Sequence, residues 1–246
     1  MTVDVAIQLA ALGLSSLFAL LRLPGALQGR NRGMFACMVL IALAMALSLP
    51  GFYDPVDALL GGRNLANLAL RLALDAVFVI LGVKAAAAFG ARWSRKLIIG
   101  PVGLAVLGLT IGLTVYLFAA SELPVSSAGL WAYADQQTVQ WYASVGRLYP
   151  GYVAACVCIP ALAAAANPRL SVLHRTGAGF VGVGLAVVFV FSVLIELFVI
   201  GVFGLVLPFS AVVLVTLGLT IMWVSHVRQR RRPPQNLLAE SYRNVS

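Results

Sequence analysis

Residues 177–227 read GAGFVGVGLAVVFVFSVLIELFVIGVFGLVLPFSAVVLVTLGLTIMWVSHV, and across all of them the only ionisable acid or base is Glu196 until His226. A bilayer core needs about 20 apolar residues per helical crossing. The stretch is therefore too long for one span and has the length for two. The turn is expected at Gly201–Gly204, with Pro208 in the first turn of the second span, where a missing N–H is cheapest. Working outward, further apolar runs of spanning length cover 5–21, 34–52, 64–83, 97–119 and 138–166, so the last two spans become 177–199 and 206–225. The prediction is an all-α, polytopic transmembrane bundle of seven spans over residues 1–227, followed by a short basic tail at 228–246.

The whole chain agrees with that reading. Its 246 residues are 61% hydrophobic and 10% charged, with a net charge of +9, where a soluble domain carries about 25% charged residues. A soluble enzyme, a disordered segment and a nucleic-acid binder are thereby excluded. Barrel strands would be about ten residues of alternating polarity, unlike these unbroken runs, and only helices or closed barrels satisfy their backbone in lipid.

Charge then orients the bundle. Arg22, Arg30, Arg32, Lys84, Arg92, Arg95, Lys96, Arg169, Arg175, Arg228, Arg230, Arg231, Arg232 and Arg243 are 14 of the 17 basic residues, and they occupy alternate loops and the tail. Asp4, Asp54, Asp57, Glu122 and Asp135 fall in the other set. The positive-inside rule then predicts N-out and C-in in the plasma membrane. Segment one lacks the basic n-region of a signal peptide. Trp93 and Trp223 are expected at the inner interface, with Tyr53, Trp131, Trp141 and Tyr142 at the outer one. Small-residue spacing at Gly108 and Gly112, and at Gly177, Gly179, Gly182 and Gly184, suggests close helix packing.

Four charges remain inside the spans: Arg71, Asp75, Arg147 and Glu196. Each costs about 2.5–3.5 kcal/mol near a helix centre, so each is expected to face a partner or a wet cavity. Asn64, Asn67, Arg71 and Asp75 share one stripe of span three at helical spacing, and Arg71 and Asp75 can pair at i,i+4. Gln137, Gln140, Ser144 and Arg147 form a similar stripe on span five, just before Pro150, which should kink that helix. The expectation is an outward-opening crevice between spans three, five and six, walled by Asn64, Asn67, Arg71, Asp75, Gln140, Arg147 and Glu196. The competing expectation is that Arg71–Asp75 and Arg147–Glu196 are pairs that only fix helix register.

Catalytic and cofactor machinery is not in evidence. His174 and His226 are at helix or loop ends, Cys37, Cys156 and Cys158 lie within spans, and no phosphate-binding glycine loop, HExxH or G-x-S-x-G occurs. No catalytic, cofactor or metal residue is therefore assigned, and an enzyme is not expected. Span seven has no lysine for a retinal Schiff base. The run Arg228–Arg232 fits a stop signal that anchors span seven, with anionic lipid as its partner.

The stretch Leu59-Leu60-Gly61-Gly62-Arg63-Asn64-Leu65-Ala66-Asn67-Leu68, with the short basic loop between spans one and two, resembles actinobacterial seven-span integral membrane proteins described as transporters. Many of these carry a cytoplasmic C-terminal domain, which this chain is expected to lack. The resemblance implies transport. The residues themselves support a carrier or channel-like protein for a small polar or charged solute. The alternative is a non-enzymatic seven-helix sensor or assembly subunit acting through a protein partner at its cytoplasmic face.

Overall fold

The structure, a computed structural model, describes residues 3–198 and 203–231, and these fold into helices with no strand among them. In chain order they are α1 (Val3–Leu27), α2 (Arg32–Leu47), α3 (Pro50–Leu59), α4 (Leu65–Ala88), α5 (Arg92–Ile99), α6 (Pro101–Ala119), a 3-10 turn (Ala128–Tyr133), α7 (Gln137–Ala166), α8 (Val172–Leu197) and α9 (Phe203–Arg231). Six of them, α1, α4, α6, α7, α8 and α9, are long and apolar enough to cross a membrane. A seventh crossing exists if α2 and α3 count as one bent span.

The α2–α3 bend is the largest departure from the expected spans. The run 34–52, expected as one span, turns by 97° between Leu47 and Pro50. Pro50 has no N–H to continue the helix and instead opens α3 at its first position. α3 turns Tyr53 and Asp57 inward and leaves Phe52 and Leu59 exposed. The fourth span also starts later than expected. Arg92–Ile99 is a separate short helix with Trp93 73% exposed beside three basic residues, and α6 begins at Pro101. At the far end, residues 201 and 202 of the expected turn lie outside the described residues, and α9 already includes Gly204. Pro208 is therefore inside α9 rather than in its first turn. No break falls at 227, because α9 continues to Arg231; the tail beyond it lies outside the described residues.

Packing is closest where glycines line the contacts. A Cβ on Gly177 would stand 2.7 Å from Met222 Cγ and 2.9 Å from the Gly218 carbonyl, and one on Gly184 2.7 Å from Val215 Cγ2, so α8 and α9 meet nearly backbone to backbone. Gly182 admits Leu162 of α7 in the same way. Gly108 and Gly112 of α6 have nothing within 4 Å and face away from the bundle. Cys37, Met38, Val153, Val157, Val181 and Leu185 fill the centre.

Loops and helix ends collect at two poles. Arg22, Asn31, Lys84, His174 and His226 surround one cavity and define a basic end. Asp57, Asn64 and the 125–127 segment bond to one another and define an acidic end.

Candidate functional site: a cavity beneath the acidic end

The start of α4 is built before any charge is placed. Gly61 and Gly62 have φ of 101° and 67°, in the left-handed region that glycine enters without a Cβ penalty. Asn64 follows at φ 60°, a conformation asparagine tolerates better than most residues. This turn brings Asp57 under the first amides of α4, where its carboxylate accepts from Asn64 N (2.9 Å) and Ala66 N (3.1 Å) and from the Ser126 hydroxyl. An acid at a helix N-terminus satisfies orphan amides and meets the positive end of the dipole. Asn64 Oδ1 accepts from Tyr53 Oη (2.9 Å) and Ser127 N (2.7 Å), and its Nδ2 donates to the Val125 carbonyl (2.8 Å). Its amide is thus fully engaged in fixing the loop, apart from any solute path.

Three residues at i, i+4 and i+8 then run down α4: Asn67, Arg71 and Asp75. They face α7, which presents Tyr142, Gly146 and Tyr149 at i, i+4 and i+7. Tyr142 Oη donates to Asn67 Oδ1 at 2.9 Å. The Arg71 guanidinium lies 5.0 Å from the Tyr142 ring centroid and donates at 3.4 Å to the Ala143 carbonyl. Its side chain occupies the space a Cβ on Gly146 would take. Arg71 and Asp75 form no ion pair, contrary to the expected i,i+4 contact; among the described residues the one salt bridge is Arg147–Glu196. The reason is directional. Helical side chains lean toward the N-terminus, which carries Arg71 up toward Tyr142 and away from Asp75, and a base preceding an acid is the weaker i,i+4 order.

Asp75 is consequently isolated. It is 3% exposed and accepts no hydrogen bond from the described residues. Within electrostatic reach are Arg71 and the phenol of Tyr149. That phenol is also buried without a hydrogen-bond partner.

The second charged pair forms as expected. Arg147 Nη2 lies 2.5 Å from Glu196 Oε1, and Arg147 Nε donates to the same oxygen at 3.1 Å. Ser144 Oγ donates to Glu196 Oε2 at 2.8 Å. This cluster ties α7 to α8 near the acidic end and is partly open, with the Glu196 side chain 42% exposed.

Between the two groups lies a cavity of about 270 Å³ lined by residues of α2, α4, α7, α8 and α9. Arg71 and Arg147 both line it, with Ser48 and Ser192, among apolar residues such as Leu74, Phe78, Phe191 and Phe209. Pro150 and Pro208 also line it. Pro150 has no N–H to offer the carbonyl of Gly146, a residue that also lines the cavity. The result is a largely apolar chamber with Arg71 and Arg147 in its wall, their guanidinium groups held by the Tyr142 ring and Ala143 carbonyl and by Glu196 and Ser144.

The expected crevice thus resolves into parts. Arg71 and Arg147 meet at the cavity. Asn67 and Asp75 stand one layer behind it at the α4–α7 contact, and Glu196 stands on the α7–α8 side. Gln140 is exposed and donates to the Ala134 carbonyl at the start of α7 (2.9 Å). Tyr53 and Tyr142, expected in an outer aromatic belt, are fully buried hydrogen-bond donors. Trp131 and Trp141 are exposed as the belt reading requires. The sequence signal for the missed Tyr142–Gly146–Tyr149 face was its i, i+4, i+7 spacing, which mirrors the stripe on α4.

No family model, curated protein or solved structure matches this chain. The chain is an all-helical protein with the composition of an integral, multi-pass membrane protein.

Proposed function

We propose that the chain is a seven-span plasma-membrane protein, N-terminus out and C-terminus in, that provides a carrier or channel-like path for a small polar or charged solute. The bent α2–α3 pair counts as the second span in this reading, and the basic end faces the cytoplasm. The observation that carries it is that Arg71 and Arg147, from different helices, line one cavity to which Pro150 of α7 and Pro208 of α9 also contribute, although both helices continue unbroken through their prolines. Proline-interrupted apolar segments beside charged residues are a sequence pointer to solute sites in secondary carriers. Arg71 holds the anionic or polar group of the solute. Asp75, buried and free of donors, takes up a proton or cation, and Arg147–Glu196 closes the acidic end. The resemblance of residues 59–68 to actinobacterial transporters points the same way.

The test is uptake by proteoliposomes of a panel comprising acetate, phosphate, glycine, potassium and protons, the last read by an internal pH dye. At least one solute is expected to enter faster than into empty vesicles. The combined variant Arg71→Gln, Asp75→Asn, Arg147→Gln, Glu196→Gln is expected to abolish that excess. Uptake that never exceeds the empty-vesicle rate, or that survives the fourfold neutralisation, overturns the reading.

A further inference from the structure

A second cavity, of about 400 Å³, lies at the opposite, basic end of the bundle, and the transport reading makes no use of it. Its walls bring Arg22 of α1, Lys84 of α4, His174 of α8 and His226 of α9 together with Asn31, and among the described residues no carboxylate lines it. Two cations, Arg22 and Lys84, face one space beside two imidazoles, an arrangement that an anion would satisfy. Residues scattered across the chain converge here, so a short basic loop does not account for the charge.

Arg22 is the sharper observation. It is 7% exposed, an unusual place for a guanidinium. Only part of it is satisfied: Nη2 donates to the Leu219 carbonyl at 3.1 Å, and the cation lies 5.3 Å from the centroid of the Trp223 ring. Its Nε is buried with no hydrogen-bond partner. A buried donor left unmade costs about 1–3 kcal/mol, more when charged, so the site stands incomplete as a purely structural feature. Lys84 is exposed at the mouth, with its stem passing Gly33, where a Cβ would come within 3.3 Å of Cε. The donors available, a guanidinium, an ammonium, imidazole N–H groups and an asparagine amide, suit a tetrahedral oxyanion with several acceptor oxygens.

We propose that the cavity bounded by Arg22, Lys84, His174 and His226 is a binding site for a phosphate group, in which Arg22 and Lys84 supply the charge. The shared chemistry is a phosphate monoanion or diester, whether free in solution or as the headgroup of a lipid at the basic end. The site is separate from the Arg71–Arg147 cavity, and its occupancy does not depend on transport.

Trp223 lines the cavity and reports on it directly. Full-length protein in a phosphate-free maltoside detergent is titrated with sodium phosphate at constant ionic strength, with chloride as the reference, and tryptophan emission is recorded. Separate samples receive phosphatidylglycerol or phosphatidylcholine in nanodiscs. Trp223→Phe identifies the responding ring. A saturable response to inorganic phosphate assigns a free oxyanion site. A response to phosphatidylglycerol, but neither to phosphatidylcholine nor to phosphate, assigns a lipid headgroup. Either supports the proposal if Arg22→Gln abolishes it and Lys84→Gln weakens it about tenfold, the size expected for one charge-assisted contact. Lys84 is exposed, so its variant keeps the test decisive should Arg22→Gln fail to fold. No saturable response to any of these probes, an equal response to chloride, or a response unchanged in Lys84→Gln overturns the proposal.

Discussion

Two aspartates a few turns apart illustrate how differently one residue type is used. Asp57 is fully buried but surrounded by donors: two backbone amides and a hydroxyl. Asp75, 3% exposed, accepts no hydrogen bond from the described residues. Hydrogen bonds to a charged group contribute about 1.5–3 kcal/mol each. Asp57→Ala is therefore expected to cost about 2–3 kcal/mol, read as a lower melting temperature in detergent. Asp75→Asn is expected to leave the melting temperature unchanged or raise it while removing uptake, because an unpartnered buried charge is destabilising and sites retained for function commonly cost stability. A clear loss of stability in Asp75→Asn would return this residue to a structural role. Asn64 separates conformation from bonding. Asn64→Gly keeps the left-handed backbone but removes three side-chain hydrogen bonds, and is expected to destabilise the protein; an unchanged melting temperature would show that the amide hub contributes little.

At the scale of elements, the long spans were legible because length and apolarity suffice to mark them. The α2–α3 bend carries a mark in Pro50-Gly51, but the apolar run continues through it to Phe52, and length and apolarity alone merge the two helices into one span. Small-residue spacing likewise indicated candidates without saying which face meets a neighbour. Gly177 and Gly184 are closed against α9, while Gly108 and Gly112 face open space. Overpacking a tight contact costs about 1–3 kcal/mol. Gly177→Val is accordingly expected to lower the melting temperature by several degrees and Gly108→Val to leave it unaltered. Equal losses in both would contradict the assigned packing of α6. Tyr142 shows the same limit for the site. A tyrosine near a span end suits an interfacial belt, and only the partner helix, bearing Asn67 and Arg71, draws it inward.

Over the whole molecule, the division into a basic and an acidic end was readable from charge alone, and the structure gathers those residues around two poles. The polar stripes on α4 and α7 contain Arg71 and Arg147, and the structure places both residues in the wall of one cavity. Sequence gave no route to the contribution of α2 and α9, because Ser48, Pro208 and Phe209 join the cavity walls through packing between distant segments. It also could not foresee that Arg71 would pass over Gly146 instead of pairing with Asp75.

The proposed carrier role requires that the Arg71–Arg147 cavity be reached from outside, by way of the acidic end. Its most direct test places a single cysteine in the cavity wall, Ser192→Cys, in a background carrying Cys37→Ala, Cys156→Ala and Cys158→Ala. Oriented vesicles are then exposed on either side to a membrane-impermeant anionic thiosulfonate. Modification from the outer side alone, slowed when Arg71→Gln is added, is the predicted result. Modification from the cytoplasmic side alone, or only after denaturation, would contradict the account.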